Sequence, residues 1–168
     1  MPITSTDIKF RLSGGGSNTD PNASLGGAKS STEIGTGLHN LFDLVSSAET
    51  TSGDTEYRCF YVHNAHATLA LENAVIYIQS NTPSADTSVE IAVGSAAVNG
   101  TEQTVANEST APTGVTFSSA ANLGAALALG NIPAGQHRAV WVKRVVNAGA
   151  AAYNDDQVTL RVQGDTAA

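Results

Sequence analysis

The sequence predicts an all-β protein, an antiparallel β-sandwich of about eight or nine strands with at most one short helix. Segments of alternating apolar and polar residues recur at fairly regular spacing, separated by Gly, Pro, Asn and Ser turn signals. No strand–helix–strand pattern occurs, which argues against a parallel sheet. The 168 residues include 41% hydrophobic residues, 14% charged residues and 16 glycines, a composition suited to short strands joined by many turns.

A first strand is predicted over residues 7–12, where apolar residues alternate with charged ones. Its apolar face consists of Ile8, Phe10 and Leu12. The Gly-rich segment 13–28 follows and predicts a long, exposed, mobile loop. We therefore describe residues 1–28 as an N-terminal strand and mobile arm, part of the same domain as a sandwich over residues 29–168.

Residues 29–54 carry weaker signals. A short edge strand is predicted over 29–34. Four apolar residues then recur at i, i+3, i+4 and i+7, the spacing of one helix face, and predict a short helix. They are Leu38, Leu41, Phe42 and Val45. The polar segment 46–54 leads into the next strand.

The stretch 55–80 reads as two strands joined by a short polar connection. Tyr57, Cys59 and Tyr61 share one face of the first strand, with Phe60 and Val62 on the other. The second strand includes the run 74–78, which is apolar on both faces. Strands apolar on both faces are covered on both sides, so we predict that this pair forms the centre of a sheet.

The second half of the chain continues the pattern. Strands are predicted over 88–93, 115–117, 125–132, 136–147 and 157–163. A turn at 132–135 precedes the longest of them, and a polar loop over 148–156 follows it.

Composition excludes several functions. The net charge is −7, and the eight Lys and Arg residues form no basic stripe, so we expect no nucleic-acid partner and no anionic membrane partner. The single cysteine, Cys59, precludes an intrachain disulfide and predicts a small buried hydrophobe. Neither a signal peptide nor an apolar membrane span is evident, and we expect synthesis in a bacterial cytoplasm.

No residue pattern predicts catalysis or a cofactor. His63 and His66 lie three residues apart without an evident third zinc ligand, and we interpret them as turn residues. Asp20, Asp54 and the run 154–156 offer loop oxygens for calcium, but their spacing matches no EF-hand, and we favour ordinary turn chemistry. We expect no metal and no enzymatic activity. A carboxylate-pair hydrolase acting on polysaccharide is the least favoured alternative.

Six residues are candidates for subunit contacts. Trp141 is predicted to fill the core, the rival interpretation being an anchor in an interface. Lys143 and Arg144 interrupt both faces of their strand, so one face must meet solvent, a salt bridge or a partner there. The complete candidate set is Phe10, Arg11, Leu25, Trp141, Arg144 and Tyr153.

Four phrases of the sequence carry a family resemblance. They are IKFRLSGGGSNTDPNASLGG, SGDTEYRCFYVHN, VANESTAPTGVTFSS and LGNIPAG…VWVKRVVNAGAAAYNDDQVTLRVQG. In these the chain resembles small virion structural proteins of tailed bacteriophages, in particular capsid decoration (cement) proteins. The resemblance implies an immunoglobulin-like or jelly-roll sandwich on the capsid exterior, bound to the major capsid protein.

The predicted function is therefore non-enzymatic decoration that binds and stabilises an assembled shell. The alternative is a tail or fibre module that binds a host-surface glycan or protein, with Tyr57, Tyr61 or Tyr153 exposed. Strands apolar on both faces and the segment 13–28 favour a closed homo-oligomer, for which we predict a trimer.

Overall fold

The computed structural model describes residues 2–166, which contain nine β-strands and a single six-residue α-helix. The strands are β1 (Ile8–Leu12), β2 (Gly26–Gly27), β3 (Asp54–Asn64), β4 (Leu71–Ser80), β5 (Thr87–Val93), β6 (Glu102–Thr104), β7 (Leu127–Ile132), β8 (His137–Val146) and β9 (Thr159–Thr166); the helix is α1 (Ser47–Ser52). Short 3₁₀ turns occur at Ser5–Asp7, Pro21–Ala23 and Leu123–Ala125. The all-β prediction is confirmed.

Two antiparallel sheets form the body of the protein. The four-stranded sheet has the order β1-β3-β8-β5, and the three-stranded sheet has the order β7-β4-β9. A further small ribbon pairs β2 with β6. Within the described residues, α1 is far too short to cross a membrane.

The main hydrophobic core lies between the two sheets. The four-stranded sheet contributes Phe60 and Val62 from β3, and the facing sheet contributes Ile76 and Ile78 from β4. These side chains alternate along their strands with residues of the opposite faces, as the period of two requires. The predicted division of faces in β3 is confirmed.

The outer face of the four-stranded sheet is covered as well. A second cluster there consists of Cys59, Tyr61, Ala92, Val105, Ala139 and Trp141. The Tyr61 hydroxyl donates to Gly27 O at 2.6 Å and accepts from the Glu102 N–H at 2.9 Å, which ties β2 and β6 to this face. The covering explains why β3 is apolar on both sides.

Segment 13–28 lies on this outer face; half of its residues are exposed, as predicted, and the others are buried or half-buried against the sheet. Ser13 and Ser24 have no exposed surface. The Ser13 hydroxyl donates to Cys59 O at 2.8 Å, and the Cys59 N–H donates to Ser24 O at 2.8 Å. Because β1 pairs β3 only from Phe60 onward, the segment supplies backbone partners that β3 would otherwise lack. Its mobility and the boundary at residue 28 stay predictions.

The predicted pairing of the two strands in 55–80 was also wrong. β3 and β4 belong to different sheets, and each is flanked by other strands in its own sheet. The connection 65–70 crosses between the sheets. At its start, the buried Asn64 amide donates to Leu69 O at 2.8 Å and to Ile132 O at 2.9 Å. A short polar connection is equally compatible with a hairpin and with such a crossing.

The helix predicted from Leu38, Leu41, Phe42 and Val45 does not form. Residues 36–45 run as turns and bends, and α1 begins later, at Ser47. Leu41 and Phe42 nonetheless pack against the core. The helix begins at Ser47 because its N-cap residue Ser46 forms a capping box with Glu49, which satisfies two N–H groups at the helix start.

The remaining predicted strands fall close to the observed ones. Strands β5, β7, β8 and β9 lie within the predicted segments or overlap them. Segment 29–34 runs beside β1 without forming a full strand: the Ile34 N–H donates to Phe10 O at 2.8 Å. The strand predicted at 115–117 does not form, and the adjacent Ser118 makes an isolated bridge with Ile91.

Candidate functional site

The candidate site lies where α1 joins β3, which we call the α1 end of the sandwich. Gly53, at φ 76°, ends α1 and turns the chain directly into β3. In the sheet register Asp54 is opposite Val146, and Val146 is opposite Thr87. The α1 end therefore includes the start of β3, the start of β5 and the end of β8.

A charge cluster lies at this end, with two buried members, Glu56 and Arg58, and two partly exposed members, Asp43 and Glu108. We define it as Asp43, Glu56, Arg58, Glu108 and Arg144. Glu56 and Arg58 have 1% and 0% of their side chains exposed. Their inward positions follow from the alternation of β3, because both lie on the face that further along carries Phe60.

Guanidinium groups hold the carboxylates of the cluster. Arg144 Nε donates to Glu56 Oε2 at 2.6 Å, and Arg144 Nη1 donates to the backbone oxygen of Asp43 at 2.8 Å. Arg58 Nη2 donates to Glu108 Oε2 at 2.5 Å. Of the three alternatives stated for Lys143 and Arg144, a salt bridge is present at both residues, and Lys143 Nζ donates to Glu90 Oε2 at 2.7 Å.

Phe42 lies against both guanidiniums of the cluster. The guanidinium carbons of Arg144 and Arg58 lie 4.8 and 5.4 Å from the ring centroid. Both distances are within the range of cation–π attraction. This contact, together with Arg144 and Asp43, anchors the irregular segment before α1 to the sandwich.

Desolvation dominates the electrostatics of Glu56. Burial raises the pKa of its carboxyl, and the nearby Arg144 and Arg58 only partly oppose this. Glu56 Oε1 and Arg58 Nε are buried and have no hydrogen-bond partner within residues 2–166. A buried polar atom without a hydrogen-bond partner destabilises the folded state, so a ligand that binds Oε1 would be favoured.

Two groups of carboxylates here could hold a metal ion, and both include Glu56. One is Asp43, Glu56 and Glu108; the other is Glu49, Asp54 and Glu56. In each group, one oxygen from each residue lies within 4.8 Å of the other two. Guanidiniums already occupy the first group, whereas the second has no ion pair among the described residues other than those of Glu56.

Buried polar groups on the outer face serve the fold. Glu102 is 3% exposed; burial would raise its pKa, but hydrogen bonds from Ala96 N–H, Ser95 and Gln103 prevail and lower it. Burial also raises the pKa of Tyr61 to about 12 and raises that of the Cys59 thiol. Glu102 and Tyr61 are hydrogen-bonded within the fold and Cys59 is buried, so we assign these side chains a structural role.

His66 lies in the connection 65–70, as expected, whereas His63 belongs to β3, so its interpretation as a turn residue was wrong. Both histidines, Asp20 and Asp156 form hydrogen bonds within the chain. Arg11 Nε donates to His63 Nδ1 at 3.1 Å, and His66 Nδ1 accepts from the Leu69 N–H at 3.0 Å. Asp20 accepts from the Asn22 N–H at 2.9 Å as a cap, and Asp156 accepts from the Ser84 N–H at 3.1 Å. Of the loop oxygens considered for calcium, Asp54 alone joins a group of three carboxylates within the described chain.

The six candidate contact residues differ sharply in exposure. Phe10 packs on Phe60 with ring centroids 5.6 Å apart, and Leu25 packs on the outer-face cluster. The side chains of Arg11 and Arg144 are 16% and 12% exposed and hold ion pairs. Trp141 has no exposed surface, which fits the core prediction and not an interface anchor. Tyr153, at 53%, is the exposed member of the set.

Apolar side chains are exposed around the α1 end. Leu44, 72% exposed, lies between Asp43 of the charge cluster and the capping residue Ser46. Tyr153 lies in the segment that leaves β8, and the nearby Gly149 N–H donates to Thr50 O of α1 at 2.8 Å. Two surface depressions elsewhere, one lined by residues near Gly26 and one near Ile3, include no titratable side chain.

Sequence reasoning missed Glu49, Glu56, Glu108 and Asp43 as site residues. A signal was present for one of them: Glu56 and Arg58 occupy the same face as Phe60 and Val62, so charges fall on a core-facing row. Asp43 and Glu108 come from irregular segments that no periodicity locates, whereas Glu49 lies in α1, where its spacing from Ser46 is that of a capping box. Comparisons with protein-family models, curated proteins and solved structures find no match to this chain.

Proposed function

We propose that this chain is a non-enzymatic virion structural protein that decorates the exterior of an assembled shell and stabilises it. The proposal starts from the resemblance of its sequence phrases to capsid decoration proteins. The partner would be the major capsid protein. A net charge of −7 suits a position outside the shell, away from contact with packaged DNA.

The observation that carries the proposal is that apolar side chains are exposed at the α1 end on segments held in place by hydrogen bonds. Leu44 and Tyr153 are 72% and 53% exposed. Asp43, next to Leu44, is hydrogen-bonded to Arg144 of β8, and Gly149, in the segment of Tyr153, is hydrogen-bonded to Thr50 of α1. Exposed apolar and aromatic residues on a pre-organised support are typical of protein contacts. We propose that the α1 end faces the shell.

The alternative of a host-binding tail module gains no support from the tyrosines. Tyr61 has no exposed surface, and Tyr57 packs on Phe117 with ring centroids 5.5 Å apart. A sugar-binding surface built on these side chains would need them exposed. Of the three, Tyr153 is exposed and Tyr57 is half-buried, and one exposed aromatic side chain serves a protein contact equally well.

The first experiment counts and locates the chain in particles produced from the genome that encodes it. Gel densitometry gives the copy number, and electron microscopy gives the position. Many copies spread over the shell support the proposal. A few copies at the tail favour the host-binding alternative, and absence from particles overturns both.

A second experiment tests the contact surface. Shells lacking the chain are mixed with purified wild type, Leu44→Ser or Tyr153→Ser, and binding is measured by co-sedimentation. We expect both variants to bind about five- to thirtyfold more weakly, the loss that corresponds to about 1–2 kcal/mol for an interface side chain. The control Ala67→Ser, in the connection at the opposite end of β3, should bind like wild type. Equal binding by all variants would contradict the proposed contact.

A further inference from the structure

The junction of α1 and β3 brings three carboxylates together. The capping box holds Glu49 in the first turn of α1, where its Oε2 accepts the Ser46 N–H at 2.5 Å. Asp54 and Glu56 stand two residues apart at the start of β3 and therefore share a face. One oxygen of each carboxylate lies within 4.8 Å of an oxygen of each of the other two.

Nothing on the described chain neutralises this trio fully. Glu56 Oε2 is bound to Arg144, but neither Glu49 nor Asp54 forms an ion pair within residues 2–166. Together, the two groups have five carboxylates, which face two guanidiniums, an excess of three negative charges. Like charges this close repel one another strongly, and more so where one of them is desolvated.

Glu56 supplies the second observation. Its side chain is 1% exposed, and its Oε1 has no hydrogen-bond donor, with the nearest guanidinium nitrogen of Arg58 4.0 Å away. Buried carboxylate oxygens normally accept a hydrogen bond or coordinate a cation. Oε1 is thus the oxygen that remains free to coordinate, while Oε2 holds Arg144.

We infer that Glu49, Asp54 and Glu56 bind a divalent cation of the calcium class. All three ligands are carboxylate oxygens, which hard cations such as Ca²⁺ prefer. Zinc and copper sites usually include nitrogen or sulfur ligands instead. Glu49 and Asp54 are only partly buried, so water can complete the six to eight ligands that Ca²⁺ takes. The cation would fasten α1 to the start of β3.

The neighbouring trio of Asp43, Glu56 and Glu108 does not carry the same inference. Arg58 Nη2 lies 2.5 Å from Glu108 Oε2, and Arg144 Nη2 lies 3.5 Å from Asp43 Oδ1. Guanidiniums therefore already stand where a cation would bind. The inferred site also does not depend on the proposed function, because binding is measured on the isolated chain.

The test is calorimetric titration of the full-length chain with CaCl₂ after treatment with a chelator. We expect one ion per chain, with a Kd on the order of 10⁻⁴ to 10⁻³ M, as in other modules with few protein ligands. MgCl₂ should bind more weakly because Mg²⁺ demands a tighter octahedral set. Calcium should also raise the thermal unfolding midpoint, since it binds only the folded state.

Two variants and one control make the test specific. Asp54→Asn and Glu49→Gln should each weaken calcium binding by about tenfold or more, since ligand charge sets affinity. Glu49→Gln keeps an oxygen that can accept the Ser46 N–H, so α1 remains capped. The control Glu72→Gln, on β4, should bind like wild type. Absence of calcium binding by wild type, undiminished binding by both variants, or equal affinity for magnesium would overturn the inference.

Discussion

Glu56 of β3 and Arg144 of β8 are cross-strand neighbours in register, and Arg144 Nε donates to Glu56 Oε2 at 2.6 Å. Both side chains point into the end of the sandwich, where Glu56 is 1% exposed and Arg144 12% exposed. A charged pair at this depth is sustained by its partners and is costly to break on one side. The stability of the protein should therefore depend on this pair and on the ionisation of Glu56.

Removing one member of the pair should destabilise the fold more than removing both. Arg144→Met leaves Glu56 buried without its main partner, and we expect a loss of about 3 kcal/mol in the free energy of unfolding. In a cycle with Glu56→Gln and the double variant, the coupling should reach about 2 kcal/mol. Urea denaturation of the four proteins measures it, and additive losses would contradict the pairing.

The pH dependence of stability should carry the signature of Glu56. Because burial raises the pKa of this carboxyl in the folded state, the folded protein holds the proton to higher pH than the unfolded chain does. The contribution of Glu56 to stability is therefore present at low pH and declines as pH rises above the ordinary carboxyl pKa of about 4.5.

Comparison with Glu56→Gln isolates this effect. In calcium-free buffer, the stability of wild type relative to this variant should fall between pH 4.5 and the raised pKa, and then level off. Denaturant titrations at a series of pH values measure the difference. If the stability of wild type relative to Glu56→Gln instead rises with pH over this window, the pKa of Glu56 is lowered by Arg144 and Arg58 more than burial raises it.

Gly26 should tolerate no side chain, whereas Gly15 should tolerate alanine at moderate cost. Both have positive φ, 94° and 113°, but a Cβ at Gly26 would lie 1.8 Å from Gln103 O, and one at Gly15 would meet nothing within 4 Å. We expect Gly15→Ala to cost about 1 kcal/mol from backbone strain alone. Gly26→Ala should cost about 3 kcal/mol or more, since overpacking adds to the strain.

Thermal and denaturant unfolding of the two glycine variants provide the measurement. Gly15→Ala is the matched control, because it shares the backbone conformation and lacks the close contact. Equal losses would mean that β2 can move away from β6 without disturbing the sheet beneath.

Cys59 should react with thiol reagents only when the protein unfolds. The thiol has no exposed surface, and burial raises its pKa, so the reactive thiolate is suppressed. As the chain has one cysteine, the labelling rate reports a single site. We expect negligible reaction in native buffer and complete reaction in denaturant. Rapid labelling without denaturant would show that segment 13–28 opens from the outer face.

Most of the β-strands could be predicted from the sequence, because alternation with a period of two is a local property. The two faces of β3, the long strand β8 and the core position of Trp141 follow from such patterns. The helix predicted over 38–45 failed where a helical spacing competed with the stronger capping signal at Ser46 and Glu49.

The sequence by itself determined the longer strands and which of their faces are apolar, but not the short strands β2 and β6. Only the tertiary structure decided that β3 and β4 enter different sheets, and that segment 13–28 covers the outer face. It alone also brought Arg144 onto Glu56, 88 positions away, and Glu49 beside Asp54 and Glu56. The physical reason is that strand pairing and burial of charge depend on contacts between distant segments, which no local periodicity records.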